Sequence, residues 1–234
     1  PGDPVFLTTF WRAEEQPTED LALHLTLLAA DGSPAAEYDL PPSAPWHPTS
    51  SWQPGETWRG QRLLRLPAEL ETGAYTWTLS LPPHPCIPLT PIHVAAPPHT
   101  FAAPPVAIEI DARLENAATL IGANPEPETL NPKPGAPITT TLIWKAEDTP
   151  AESYHVFLHL LDRQGNLIAQ SDGVPAGWTR PTTGWLPGEY IADTHTLVIP
   201  PNTPVDEYKL ITGMYVPGGE RLNTYDDSNI IPLI

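Results

Sequence analysis

The first fourteen residues, PGDPVFLTTFWRAE, return from Pro134 as PGAPITTTLIWKAE. The offset of 133 (134 − 1) holds without a gap from Pro1 to Leu81 and aligns Trp11 with Trp144, Leu25 with Leu158, Gly32 with Gly165 and Trp52 with Trp185. A period of that length is a whole domain, not a solenoid repeat or a propeller blade. The chain therefore reads as two copies of one domain, 1–105 and 106–234. Ahead of its proline-glycine turn, copy two carries an alternating stretch, Val106 to Asp111, and a short apolar one, Thr119 to Gly122. Copy one has no counterpart, so it is expected to lack its first strand or strands, or to have its sheet completed by another chain.

Proline occupies 33 of 234 positions. It removes a backbone donor and breaks helix interiors, which leaves strands and loops. The alternation agrees. Ile138, Thr140, Leu142, Trp144 and Ala146 fall on one face of a strand, as do Val5, Leu7, Trp11 and Ala13 in copy one. Further strands are expected at Leu21 to Leu28, Trp58 to Leu66, Gly73 to Leu81, Thr90 to Ala95, Tyr154 to Leu161, Ile191 to Ile199 and Glu207 to Tyr215. The turns at Asp31 to Ser33 and Asp162 to Asn166 suit hairpins. The predicted fold is all-β: two tandem immunoglobulin-like or jelly-roll-type antiparallel β-sandwiches, joined by the proline-rich stretch Pro82 to Pro105.

The formal charge of −17, with only 11 Lys plus Arg, opposes nucleic acid and anionic membrane surfaces as partners. Cys86 stands alone, so no internal disulfide, zinc-cysteine cluster or redox pair is expected. No stretch reaches the length of a membrane span, and no signal peptide is present. The chain opens on Pro1 and its only methionine is Met214. The expectation is a piece of a longer product, with targeting or membrane segments upstream.

One local signature recurs, P-T-x-x-W-x-P-G-E, at Pro48 to Glu56 and Pro181 to Glu189. Its tryptophan either seals one end of the sandwich or offers a flat face to a sugar ring. On the second reading the candidate ligand-binding residues are Trp46, His47 and Trp52 in copy one and Trp178, Arg180 and Trp185 in copy two, with His47 and Arg180 placed for hydroxyls. Glu56 and Glu189 read as solvated turn residues, because glycoside hydrolysis needs two carboxylates across one bond and each copy supplies one. His155 and His159 share a strand face about 13 Å apart, too far for one metal. The acidic runs at Tyr225 to Asn229 and Asp162 to Asn166 lack the ligands of a calcium loop. Nucleotide, hydrolase-elbow and zinc-protease motifs are missing. No catalytic residue, metal or cofactor is expected, and the chain is read as no enzyme.

The order PGAPITTTLIWKAE, YHVFLHLLDRQGNLIAQSDG, PTTGWLPGE and LVIPPNTPVDEYKLITGMY resembles modules in the C-terminal, extracytoplasmic parts of large bacterial membrane proteins. Many of those carry a multi-spanning, glycosyltransferase-like region that uses lipid-linked sugars. The resemblance covers nearly all of copy two and, more loosely, copy one, which departs from it at Leu23 to Ala29. It implies an exported β-sandwich anchored through a segment outside this chain. The expected function is a non-catalytic tandem β-sandwich of the cell envelope, a spacer or interaction module with glycans or envelope proteins as partners. The alternatives are a carbohydrate-binding module using exposed tryptophans, and an accessory fragment of a membrane glycosyltransferase-like enzyme.

Overall fold

The computed structural model describes residues 1–130, 133–204 and 208–233. It is all-β, and the chain divides into two compact units, Pro1–Pro97 and Pro98–Ile234. The division falls ahead of residue 105 because the intervening segment belongs with the second unit. Tyr190 N donates to Thr100 O at 2.7 Å, and Asn124 Nδ2 donates to Pro105 O at 3.1 Å.

Unit 1 contains β1 (Pro4–Arg12), β2 (Leu23–Ala29), β3 (Pro34–Leu40), β4 (Thr57–Arg65), β5 (Gly73–Ser80), β6 (Ile87–Pro88) and β7 (Ile92–Val94). β1 and β4 form a two-stranded ribbon. β3, β2, β5 and β6 form the facing sheet, with β7 also on β5. Leu64 from the ribbon packs into one core with Leu23, Leu25, Leu27, Trp77 and Leu79. Every second residue of β2 and β5 is buried, which is how a sheet with one solvated face reads in sequence.

Unit 2 contains β8 (Ile108–Leu114), β9 (Ala118–Pro125), β10 (Pro137–Ala146), β11 (His155–Leu161), β12 (Leu167–Gly173), β13 (Tyr190–Val198), β14 (Lys209–Tyr215) and β15 (Ile231–Pro232). One sheet runs β13-β10-β9-β8 and the other β12-β11-β14-β15. Leu142 and Trp144 of the first sheet share a core with Val156, Leu158, Leu160 and Met214 of the second. Ile138, Thr140, Leu142, Trp144 and Ala146 are all buried, the face that their alternation assigns. Of the strand expected at Glu207 to Tyr215, Glu207 lies outside the described residues.

The two units use the same ladders. β1 pairs with β4 from Pro4↔Arg65 to Arg12↔Thr57, and β10 with β13 from Pro137↔Val198 to Lys145↔Tyr190. Each partner in the second pair lies 133 residues after its equivalent in the first. The same offset relates His24↔Ser80 to Phe157↔Gly213 and Leu23↔Leu40 to Val156↔Gly173. It also relates the bulge at Leu27/Leu28 to that at Leu160/Leu161. A one-residue slip would turn a buried face outward, so core position and register agree between the units. They differ at one edge. β10 carries β9 on the side away from β13, whereas β1 pairs only with β4 among the described residues.

Candidate functional site

The recurring signature is accounted for by architecture. Its threonine accepts a backbone N–H from the strand-entry segment, Leu21 N to Thr49 Oγ1 at 2.7 Å and Tyr154 N to Thr182 Oγ1 at 2.9 Å. Gly55 and Gly188 have φ of 91° and 80°, a left-handed turn position that suits glycine. The terminal glutamate closes the turn, accepting from Gln53 N at 2.8 Å in unit 1 and from Leu186 N at 3.1 Å in unit 2. The tryptophan is interior: Trp52 is 5% exposed and Trp185 fully buried. Neither has a face to offer a sugar, so both leave the set of candidate binding residues.

Arg180 leaves it as well. Its guanidinium donates to Glu189 Oε1, and the side chain is 11% exposed. Glu189 is not the solvated turn residue of the sequence reading. It is wholly buried, held between Arg180 and His99, whose Nδ1 lies 2.9 Å away. A buried carboxylate needs such partners. His47, the unit 1 equivalent of Arg180, packs its ring 3.9 Å from that of Trp58 and 6.5 Å from that of Trp52. The exposed candidates are Trp46, at 85%, and Trp178, at 66%.

Trp178 is the one that is built into a site. It ends the turn Pro175–Trp178, in which Ala176, Gly177 and Trp178 have φ of 53°, 61° and 69°. Successive left-handed residues cost roughly 1–2 kcal/mol each outside glycine, and such strain persists only where surrounding contacts fix it. Here they do. Ala176 N donates to Asp193 Oδ1 at 2.7 Å. Asp193 Oδ2 lies 2.8 Å from His195 Nε2, and His195 Nδ1 lies 3.1 Å from Ser171 Oγ. Asp193 and His195 are buried, so this serine–histidine–aspartate chain ties β12, β13 and the turn together. At the same positions unit 1 has Tyr38, Arg62 and Gly60, and Arg62 pins the corresponding loop by donating to the carbonyls of Pro41 and Ser43. Sequence reasoning missed the tie. Its signal was available: Asp193 and His195 occupy the inward register of β13, between Ile191 and Leu197.

The indole lies over Gly173, where a Cβ would come within 2.9 Å of it. His155 meets it edge-on at 5.2 Å, and Tyr215 meets His155 at 5.6 Å. Beside them Arg221 caps the Phe157 ring at 4.2 Å, and His159 Nε2 lies 3.0 Å from Asp172 Oδ1. Burial lowers the pKa of His155 and of His159, outweighing the opposing pull of Asp172 in each case. Burial also raises that of Tyr215. At neutral pH the face therefore presents neutral imidazoles and a phenol, each able to donate and accept, next to an exposed aromatic ring. No cluster of three or more metal-ligating side chains occurs among the described residues.

A groove of about 860 Å³ on unit 2 is lined by Arg113, Lys145, Glu147, Lys209 and Tyr225, among others. Its central carboxylate is already engaged. Glu147 accepts from Thr119 Oγ1 at 2.6 Å and lies 3.8 Å from both Arg113 and Lys145.

No family model matches the chain, and no curated protein matches it. Among solved structures, a glycosyl hydrolase family 2 member from Bacteroides cellulosilyticus shows a TM-score of 0.27 at 11% identity, over 98% of this chain and 27% of that one. An FMN-binding β-glucuronidase from Facaelibacterium prausnitzii gives 0.23 at 12%, over 99% and 32%. The β-glucuronidase of Ruminococcus gnavus gives 0.20 at 12%, over 94% and 34%. The chain thus spans about a third or less of each.

Proposed function

We propose that this chain is a non-catalytic β-sandwich module of the cell envelope whose second unit binds carbohydrate through the Trp178 face. The observation that carries the reading is a two-thirds-exposed indole mounted on a strained turn that a buried polar chain holds in place. A pyranose ring stacks its C–H face on an aromatic ring and directs its hydroxyls sideways. His155, Tyr215 and the Asp172–His159 pair stand where such hydroxyls need donors and acceptors. A preformed aromatic face loses little conformational entropy on binding. The extracytoplasmic setting, with anchoring through a segment outside this chain, follows from the family resemblance and belongs to the same proposal.

The test is calorimetric titration of the whole chain with a panel of soluble neutral and acidic oligosaccharides and polysaccharides, alongside Trp178→Ala and Trp46→Ala. Binding lost in the first variant and kept in the second supports the reading. No heat across the panel, or binding untouched by Trp178→Ala, overturns it and leaves a spacer or protein-interaction role.

A further inference from the structure

The Trp178 face extends across unit 2 to Arg221. His155 of β11 pairs with Tyr215 of β14, and Tyr215 pairs in turn with Arg221. Residues directly opposite in an antiparallel ladder share a face, so the three form one row leading away from the indole. Arg221 is fixed in that row by its backbone. The turn after β14 is closed by Val216 N donating to Glu220 O at 3.3 Å and Gly219 N to Val216 O at 2.7 Å. The buried Leu222 anchors the chain just beyond it.

The guanidinium of Arg221 sits over the Phe157 ring, 4.2 Å from its centre. That ring is 1% exposed and fills the space above Gly213, where a Cβ would come within 2.7 Å of it. Attraction to a ring face uses none of the five N–H donors of an arginine. The partly buried cations Arg62, Arg113, Lys145 and Arg180 each have an oxygen partner, backbone carbonyls for Arg62 and carboxylates for the rest. Arg221 is partly buried too, and among the described residues it meets only the ring. Asp172, which shares the face, is engaged by His159.

We infer that the Trp178 face takes an acidic oligosaccharide, a hexuronate carboxylate seated on the Arg221 fork while another sugar of the same chain stacks on Trp178. The assignment rests on the carbohydrate reading of that face. Two strand spacings, about 10 Å, separate His155 from Arg221, so the stacked ring and the carboxylate belong to different sugars. Guanidinium and carboxylate match as a bidentate pair, and His155 and Tyr215 lie between for hydroxyls. The net charge of −17 repels a dense polyanion at long range, so the fitting ligand spaces its carboxylates with neutral sugars. Unit 1 has Ala22, His24 and Thr26 where unit 2 has His155, Phe157 and His159, so the row belongs to unit 2 alone.

Calorimetric titration of the whole chain with hyaluronan fragments and glucuronate-branched xylan fragments, each beside its carboxyl-reduced form, tests this. Carboxyl reduction turns the carboxylate into a primary alcohol and leaves the ring faces unchanged. The acidic form of at least one pair should bind about ten- to hundredfold more tightly than its carboxyl-reduced form, the range of a hydrogen bond to a charged group. Arg221→Gln should erase that difference while keeping the affinity of the carboxyl-reduced form. Arg221→Lys should keep part of it, since an ammonium supplies charge without the fork. Trp178→Ala should weaken both forms alike. If Arg221→Gln uncovers Phe157 and melts well below the wild type, Arg221→Lys, which keeps an apolar stem, decides alone by a diminished preference. Equal affinity for the two forms, or a preference that the Arg221 variants keep in full, overturns the inference and leaves the Trp178 reading standing. A preference that depends on Arg221, in binding that Trp178→Ala leaves untouched, overturns the Trp178 reading instead. No binding by any pair overturns both.

Discussion

Arg180 and Glu189 form a buried ion pair at the place where unit 1 has only a histidine ring and a turn-closing glutamate. The recurring signature thus carries one job in both units, closing a turn, and a second job in unit 2 alone. Removing one partner of a buried pair strands the other, at a cost of about 3–5 kcal/mol. Glu189→Ala should therefore destabilise unit 2 by that order. Glu56→Ala removes turn hydrogen bonds in a less buried setting and should cost about 1 kcal/mol. Urea unfolding of the two variants checks this, and equal losses would contradict it.

Gly173 bears directly on the candidate site. A methyl there meets the Trp178 indole at about the distance of a hard clash, 2.9 Å. Nothing about the Gly173 backbone requires glycine, so Gly173→Ala should act by lifting the indole off β12. The expected result is a red shift of tryptophan emission and loss of glycan binding with unit 1 unaffected. Unchanged emission would mean that the ring does not rest where the geometry puts it.

The alternation that exposes a strand's faces was legible wherever one face is apolar, as in β5, β10 and β13. β3 (PAAEYDL) and β12 (LIAQSDG) went unseen because they are sheet-end strands with weak inward faces: Ala36, Tyr38 and Leu40 of β3 are only partly buried against the core, and β12 has polar residues on both faces. Trp52 and Trp185 show the opposite limit. A tryptophan in a Pro-Gly loop carries no sign of which way it points, and here a threonine hydroxyl at the loop start and a glutamate at its end turn it inward. The polarity of Glu189 suggested solvent; Arg180 stands just ahead of the same signature, but His99 comes from far along the chain, and only the fold closes both over the carboxylate. Trp178 was legible as a candidate. The tie that holds its turn was not, because Ser171, Asp193 and His195 come together only across two sheets.

The histidines of the Trp178 face give unit 2 a pH dependence. Burial holds His155 and His159 below their ordinary value of 6.5. The folded unit then takes up fewer protons than the unfolded chain as pH falls, so stability is intact above about 6.5 and declines below it. Melting temperature should drop between about pH 7 and pH 5, and His155→Gln/His159→Asn should flatten that drop. A drop of the same depth in the double variant would assign it to other groups.

Ala176 sets stability against presentation of Trp178. Its φ of 53° and ψ of 48° lie in the left-handed region, where a Cβ costs roughly 1–2 kcal/mol. Ala176→Gly removes that strain but frees the unfolded chain by about 0.5–1 kcal/mol. The net effect on unfolding should therefore be neutral to stabilising by under about 1 kcal/mol. Affinity should move the other way. The Ala176 N–H bond to Asp193 survives the change, yet a glycine pair at 176–177 lets the turn wander before binding, and the ligand must then order it. A variant at least as stable as the wild type, with glycan affinity several-fold weaker, would show that the strained turn is kept for the ring it presents. Tighter binding by the glycine variant would show instead that the turn resists the bound state. Paired thermal-melt and calorimetric measurements on one preparation separate the two outcomes.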